Sequence, residues 1–388
     1  MTGSTPSRVA AYHPAPSRFS APRVAIVHYW LVSMRGGERV VERMLGLYPG
    51  ADIFTHVYDP ARMSDTIRQA RIATSYIDRL PGSKRFYQYY LPFMPTALEQ
   101  LDLSGYDLVI SSESGPAKGV ITDPGSLHVC YCHSPMRYLW DHYHQYRRAA
   151  NPLARAAMPL VYNWLRQWDV NSSARVDRFA ANSGFVRNRI RKVWRREADV
   201  IHPPVETSLF TPSLEVDDEY LWVGAMVPYK RPDLAVDAFN ANGRKLLMVG
   251  QGSMLKSLKA RARPNIRFVE RLGFNELRRA YSRARAFIMT AEEDFGIAPV
   301  EAMASGRPVV AFAGGGALET VIADRTGVFF GEQEVHSLVD AVEQLESFLP
   351  HFDPNHAIER AEHFAPEVFD ERMKRFIDEG SEGIRQWN

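Results

Sequence analysis

Thr290-Ala-Glu-Glu293-Asp-Phe-Gly296-Ile-Ala-Pro299-Val-Glu301-Ala-Met-Ala-Ser-Gly306-Arg-Pro308 is the stretch whose reading decides the fold. The apolar run from Ala286 reads as a buried strand that ends at Thr290. A loop carrying Gly296 follows. Pro299 suits a first helical position, because its fixed φ is helical and its missing N–H has no intrahelical partner there. Gly306 suits a left-handed helix cap, and Pro308 opens the next strand. The whole is a strand–loop–short helix–strand unit. The N–H groups of its loop and first helical turn point away from the carboxyl edge of a sheet, a setting that attracts anions. Glu293 and Glu301 flank that terminus. A carboxylate repels phosphate, so these two are expected to bind hydroxyls.

Outward from this unit, short apolar runs alternate with amphipathic segments. Strands are expected at Val24–Val27, Asp107–Ser111, Leu127–Cys132, Arg178–Ala181, Val200–His202, Tyr220–Val223, Lys245–Val249, Ile266–Val269 and Pro308–Phe312, besides Ala286–Thr290. Strands alternating with helices imply an α/β chain with parallel sheets covered on both faces. The alternation pauses at His202-Pro203-Pro204-Val205 and then restarts. Residues 1–22, with four prolines and no periodicity, read as a disordered tail. Residues 23–203 form one domain and 204–365 a second, and a last helix, 366–388, has no strand after it.

Composition excludes several classes. The chain has 388 residues, 45% hydrophobic and 24% charged, enough for two cores. Its longest apolar runs fall far below the ~20 residues of a membrane span. The first residues show no apolar leader, so a cytoplasmic location is expected. Cys130 and Cys132 alternate across one residue, as on one strand face, and fit neither a disulfide framework nor a zinc knuckle. A net charge of +2 argues against a nucleic-acid binder. Residues 141–200, however, hold twelve Lys/Arg against five Asp/Glu. That excess suits phosphates or an anionic membrane surface, as well as a solvated helical face. Between Ile77 and Met94, Lys84 and Arg85 stand beside clustered aromatics, a pattern that suits lipid headgroups or a helix filling the core.

Further motifs fall at expected strand ends. Gly224 and Lys230 lie at the first strand–helix junction of the second half, where a glycine turn, a cation and a Pro-started helix can hold a diphosphate. Gly250 and Gly252 follow another strand and would let the backbone approach a ligand. Gly36 and Gly37 join the first strand to a helix with apolar positions Val40, Val41, Met44 and Leu45. His133 follows the Leu127–Cys132 strand directly, at the carboxyl edge, and Asn182-Ser183 suits a helix cap.

The Thr290–Pro308 string resembles the Glu-x7-Glu motif of retaining GT-B glycosyltransferases of family 4, and Phe295-Gly296, Glu301-Ala-Met-Ala-Ser-Gly306 and Pro308-Val-Val come with it. The resemblance spans about residues 23–380. It implies two Rossmann-like domains facing across a cleft, with the C-terminal helix crossing back to the first. Glu293 would contact the donor sugar and Glu301 the ribose, His133 would touch the sugar, and Lys230 would stabilise the departing diphosphate. Gly36, Gly37, Gly224, Arg231, Gly250, Gly252, Arg271, Leu272, Phe295, Gly296 and Ile297 complete the implied donor site. Ala225 stands where the family has an arginine, and Arg231 is the candidate substitute. No metal or other cofactor is expected, since no Asp-x-Asp stands near a nucleotide loop.

Arg166-x-Trp168-Asp169 and Trp30-Leu-Val-Ser-Met-Arg-Gly-Gly resemble the mannosyltransferase branch of O-antigen and exopolysaccharide assembly. That implies a retaining hexosyltransferase moving mannose from GDP-mannose to a polyprenyl-diphosphate-linked saccharide, peripherally bound at the inner face of the cell membrane. In such transfer the leaving diphosphate itself takes the acceptor's proton. Two alternatives stay open: a sugar-nucleotide 2-epimerase on the same fold, and a non-catalytic subunit of a polysaccharide assembly complex.

Overall fold

The computed structural model describes residues 22–385, so the expected tail lies, but for Pro22, outside the described residues. Two all-parallel sheets follow one another along the chain. The first contains β1 (Val24–His28), β2 (Asp52–Thr55), β3 (Ile72–Thr74), β4 (Leu108–Glu113), β5 (Leu127–Cys132), β6 (Arg178–Ala181) and β7 (Asp199–Val200), in the order β3-β2-β1-β4-β5-β6-β7. The second contains β8 (Tyr220–Val223), β9 (Leu246–Val249), β10 (Ile266–Val269), β11 (Phe287–Met289), β12 (Val309–Phe312) and β13 (Gly327–Phe330), in the order β10-β9-β8-β11-β12-β13. Both are doubly wound: the strand order reverses between β1 and β4 in one and between β8 and β11 in the other. Ligands of such sheets bind beyond the carboxyl ends of the strands at that reversal.

β1, β4 and β5 are buried along their whole length, as strands covered on both sheet faces should be, and they carry the polar His28, Ser111, Ser112, Glu113 and His128 inside. Cys130 and Cys132 are free thiols in one cluster with Phe179, Ile190 and Trp194, on one face of β5. The helix Pro366–Arg385 packs Phe369, Met373, Phe376 and Ile377 into the first domain's core beside Ile26, Val129 and Tyr131, although it follows the second sheet in sequence. Hydrophobic burial sets that return: the four side chains cover the β1–β4–β5 face.

Three strands escape the sequence pattern. β2 and β3 are edge-ward and short, and β13 sits behind the turn Asp324–Thr326.

Candidate functional site

The two reversal points meet at a cleft of about 830 Å³, within the usual size of small-molecule sites. From the first domain it is lined by Gly36, Gly37, Ser114, His133 and Asn182, and from the second by Gly224, Lys230, Glu293, Phe295, Gly296, Ile297 and Glu301.

The Thr290–Pro308 unit builds one wall. Its helix runs Ile297–Ala304, with Gly296 as N-cap at φ 88°, a conformation that favours glycine. Pro299 is thus the third helical residue and not the first. Proline is accommodated there all the same, because the N–H at the third helical position also lacks an intrahelical acceptor. Gly306 takes the left-handed conformation at φ 69° after the helix, as its place requires. The glycines Gly315 and Gly316 run beneath Glu293, whose carbonyl accepts from the Gly316 N–H at 2.9 Å.

Lys230 ends a short 3-10 turn, Pro228–Lys230, and its carbonyl accepts from Thr290 Oγ1 at 2.9 Å. Its Nζ lies 2.5 Å from Glu293 Oε1. Burial works against the ammonium, but Glu293 outweighs it and holds the Lys230 pKa above its ordinary value. Glu301 accepts from Tyr281 Oη at 2.8 Å. Burial raises the Glu301 pKa, opposed by that hydrogen bond and by Arg39.

His133 stands one residue beyond β5. Its N–H donates to the Glu113 carbonyl at 2.8 Å, its carbonyl accepts from Asn182 Nδ2 at 2.9 Å, and its Nε2 meets Ser112 Oγ at 2.8 Å. Burial and the neighbouring His28 push its pKa down to about 3, so the ring is neutral at physiological pH. Gly36 and Gly37 are the first residues of the helix Gly36–Leu47 and not a loop before it. The first domain therefore also presents a helix N-terminus to the cleft, with Glu38 Oε2 accepting from the Arg35 N–H at 3.0 Å.

Five expected donor residues are not among those lining the cleft. Gly250, at φ 144°, is glycine because a Cβ there would lie 1.9 Å from the Gly224 carbonyl oxygen. A Cβ at Gly252 would lie 2.3 Å from the Met226 carbonyl oxygen. The backbone they admit is the neighbouring Gly224 loop, so they support that loop from behind. Arg231, in a left-handed conformation at φ 51°, turns its guanidinium to Asp233 at 3.2 Å. Leu272 lines a separate cavity with Arg267 and Glu276. Arg271 is exposed beyond β10. The structure also adds residues the motifs missed. Tyr229, Tyr281 and Asp294 line the cleft, and Tyr281 reaches Glu301 from a helix that no motif flagged.

The domains are joined beside the cleft by charge. Arg189 binds Asp294 at 2.7 Å, and Ser183 Oγ donates to the Asp294 carbonyl at 2.5 Å. Glu319 accepts from the Gly184 and Phe185 N–H groups at 2.8 and 3.1 Å and from His202 Nε2 at 3.1 Å. Asn182-Ser183 thus does more than cap its helix, although Ser183 Oγ also accepts from the Val186 N–H.

Residues 34–209 match the family described as Glycosyltransferase Family 4, and residues 211–360 match Glycosyl transferases group 1. Each domain thus matches one of the two families, and the chain carries the GT-B fold of group 1/family 4 glycosyltransferases. Among curated relatives, the O-antigen chain mannosyltransferase RfbU of Salmonella typhimurium is 29% identical over 32% of this chain and 39% of its own length. The GDP-mannose-dependent alpha-(1-6)-phosphatidylinositol monomannoside mannosyltransferase of Mycobacterium tuberculosis is 28% identical over 42% of this chain and 51% of its own. The chain spans about half the length, or less, of these relatives. Among solved structures, HepE of Anabaena in complex with UDP superposes with a TM-score of 0.69 at 15% identity, covering 92% of this chain and 100% of that one.

Proposed function

We propose that the protein is a retaining hexosyltransferase that moves mannose from GDP-mannose to a lipid-linked saccharide. The observation that carries the reading is the Lys230–Glu293 pair, set beside the Gly296 helix terminus and across the cleft from His133. In the transfer the bond from the anomeric carbon to the diphosphate breaks, the bond to the acceptor oxygen forms on the same face, and the acceptor's proton passes to the diphosphate. Lys230 and the helix termini at Gly36 and Gly296 supply positive charge where the diphosphate departs. Glu301 takes the ribose, and Glu293 and His133 take the sugar. The two mannosyltransferase relatives support mannose as the sugar. A panel of nucleotide-sugars with a polyprenyl-diphosphate-saccharide acceptor tests the reading. Transfer from GDP-mannose, undiminished by excess EDTA, is the expected result. Isomerised sugar nucleotide without acceptor would instead mark an epimerase, and complete loss with EDTA, restored by Mg²⁺, would refute a metal-free reaction.

A surface on the first domain supports the lipid-linked acceptor. No described helix is long and apolar enough to cross a membrane. The 77–94 segment divides its side chains: Ile77, Leu91 and Met94 are buried, while Phe86, Tyr89 and Phe93 are exposed, Tyr89 by 75%. Leu91 and Met94 share a cluster with Leu165 of the helix Pro152–Ser172. That helix exposes Leu153, Leu160 and Trp164 along one face, the first two by 83% and 80%. No Asp or Glu occurs in residues 79–98 or 142–168, which carry Lys84, Arg85, Arg147, Arg148 and Arg155. Apolar side chains bordered by unopposed cations fit an anionic bilayer surface, each cation adding ~1 kcal/mol near the headgroups. The protein is expected to sediment with phosphatidylglycerol vesicles at low salt and to release at high salt. Lys84→Glu with Arg85→Glu should weaken that binding without changing nucleotide affinity. A wild type that ignores the vesicles at low salt would remove this support for a lipid acceptor.

A further inference from the structure

Three side chains that the proposed reaction does not use form a chain of contacts behind His133. β1 and β4 pair in parallel with His28 opposite Ser112, and β5 runs beside β4, so the ends of three strands bring His28, Ser112 and His133 together. Ser112 Oγ lies 3.0 Å from His28 Nδ1 and 2.8 Å from His133 Nε2. His28, Ser112 and Glu38 are buried. On its far side, His28 Nε2 is buried without a hydrogen-bond partner, and the carboxylate facing it is Glu38 Oε1 at 3.9 Å. Glu38 is held there by its other oxygen, which caps the Gly36–Leu47 helix.

We infer that Glu38, His28 and Ser112 are positioning residues that fix the ring and the tautomer of His133. The hydroxyl of Ser112 has one proton and stands between two ring nitrogens, so it can donate to only one of them. Glu38 decides which. Its carboxylate favours a proton on His28 Nε2, the orphaned atom that faces it. His28 Nδ1 then accepts from the Ser112 hydroxyl, and Ser112 Oγ accepts from His133 Nε2–H. His133 Nδ1 is left as a lone-pair acceptor on a residue that lines the cleft, ready for a hydroxyl of a bound sugar. The opposite wiring would put the proton on His133 Nδ1 and make it a donor. Which nitrogen of a histidine carries the proton is set by the bond its other nitrogen makes, and here that bond is traced to a carboxylate in the Arg35-Gly-Gly-Glu38 segment. The first turn of the Gly36 helix and the His133 loop are thereby coupled through the sheet.

The inference rests on the transferase reading for the sugar contact, but not for the wiring. Its test therefore has two separate readouts. The full chain labelled with ¹⁵N-histidine, without donor, gives the tautomer from the ring nitrogen shifts at pH 7, with the His133 signals assigned by their loss in His133→Ala. The expected wild-type form has the proton on Nε2. Glu38→Gln, which keeps the side-chain volume, and Ser112→Ala should each mix the two tautomers, and Ser112→Thr should restore the wild-type spectrum. In the transfer assay, Ser112→Ala should lower kcat about ten- to a hundredfold, by analogy with loss of the partner that orients a metal-bound imidazole, with KM nearly unchanged and with recovery in Ser112→Thr. A proton on His133 Nδ1 in the wild type, or a tautomer that Glu38→Gln leaves unmoved, overturns the wiring. The wild-type spectrum decides even if Ser112→Ala fails to fold. If the spectra behave as expected and no nucleotide-sugar is turned over, the wiring stands and the proposed reaction fails.

Discussion

Lys230→Ala is expected to lower the turnover number for sugar transfer by about 10²–10³, the loss typical of removing one preorganised charge-stabilising group from a protected site. The ammonium is the one side-chain cation among the cleft-lining residues that sits on the Gly224 side, and it is half-buried against Glu293. Charge accumulates on the diphosphate only as the glycosidic bond breaks, so the deficit should appear in kcat more than in KM. The glutamates should divide the same way. Glu293→Gln releases Lys230 from its carboxylate partner, so nucleotide diphosphate binding should hold while turnover falls. Glu301→Ala should instead weaken nucleotide binding, by ~1–3 kcal/mol if a buried ribose hydroxyl is left unpaired. Single-turnover rates and calorimetric Kd values for the nucleoside diphosphate separate these effects. Wild-type kcat in Lys230→Ala, or equal losses of nucleotide affinity from both glutamate changes, would sink this division of roles.

The parts of the fold that the sequence discloses are those where burial is complete. β1 opens on the unbroken apolar run Val24–Val27 because both sheet faces are covered, and the Thr290–Pro308 unit is legible because glycine and proline mark its joints. β2 and β3 lie toward an edge, where short strands need fewer apolar residues and leave no run to read. In the site, Glu293, Glu301, Lys230 and His133 converge because each follows a strand that ends at one of the two cleft edges. Gly250 and Gly252 show the limit of such reading. A glycine announces a close approach but not what approaches, and here it is the adjacent loop. Arg231 is the arginine nearest in sequence to the one missing at Ala225, but Asp233 two residues on holds it locally. The His28–Ser112–His133 contacts are out of reach of any sequence pattern. They join residues 84 and 21 positions apart, and strand register alone brings them together.

The largest effect on stability is expected at Asp169, which the sequence marked only as part of a branch motif. It lies near the end of the Pro152–Ser172 helix and is fully buried. Its Oδ1 pairs with Lys118 Nζ, and its Oδ2 accepts from the indoles of Trp140 and Trp194 at 2.8 Å each. Lys118 is also fully buried, 4.2 Å from the Trp194 ring centroid and 3.4 Å from Glu113. Glu113 in turn accepts from the Ala117 and Lys118 N–H groups at 2.8 Å, and its carbonyl holds the His133 N–H. Asp169→Ala strands one buried ammonium with a single carboxylate and orphans two indole donors. Removing one partner of a buried ion pair costs ~3–5 kcal/mol, far more than an exposed pair is worth. Asp169→Asn keeps an acceptor for the indoles and should lose less. Lys118→Met instead leaves Asp169 and Glu113 as two buried carboxylates without their cation, and should cost at least as much as Asp169→Ala. Calorimetry resolves this best, because a chain with two cores need not unfold in one step and the loss belongs to the first domain's transition. Trp194 and Trp140 fluorescence should move with that transition. An Asp169→Ala protein that melts with the wild type would show that the ion cluster is not what holds the His133 loop to its helix.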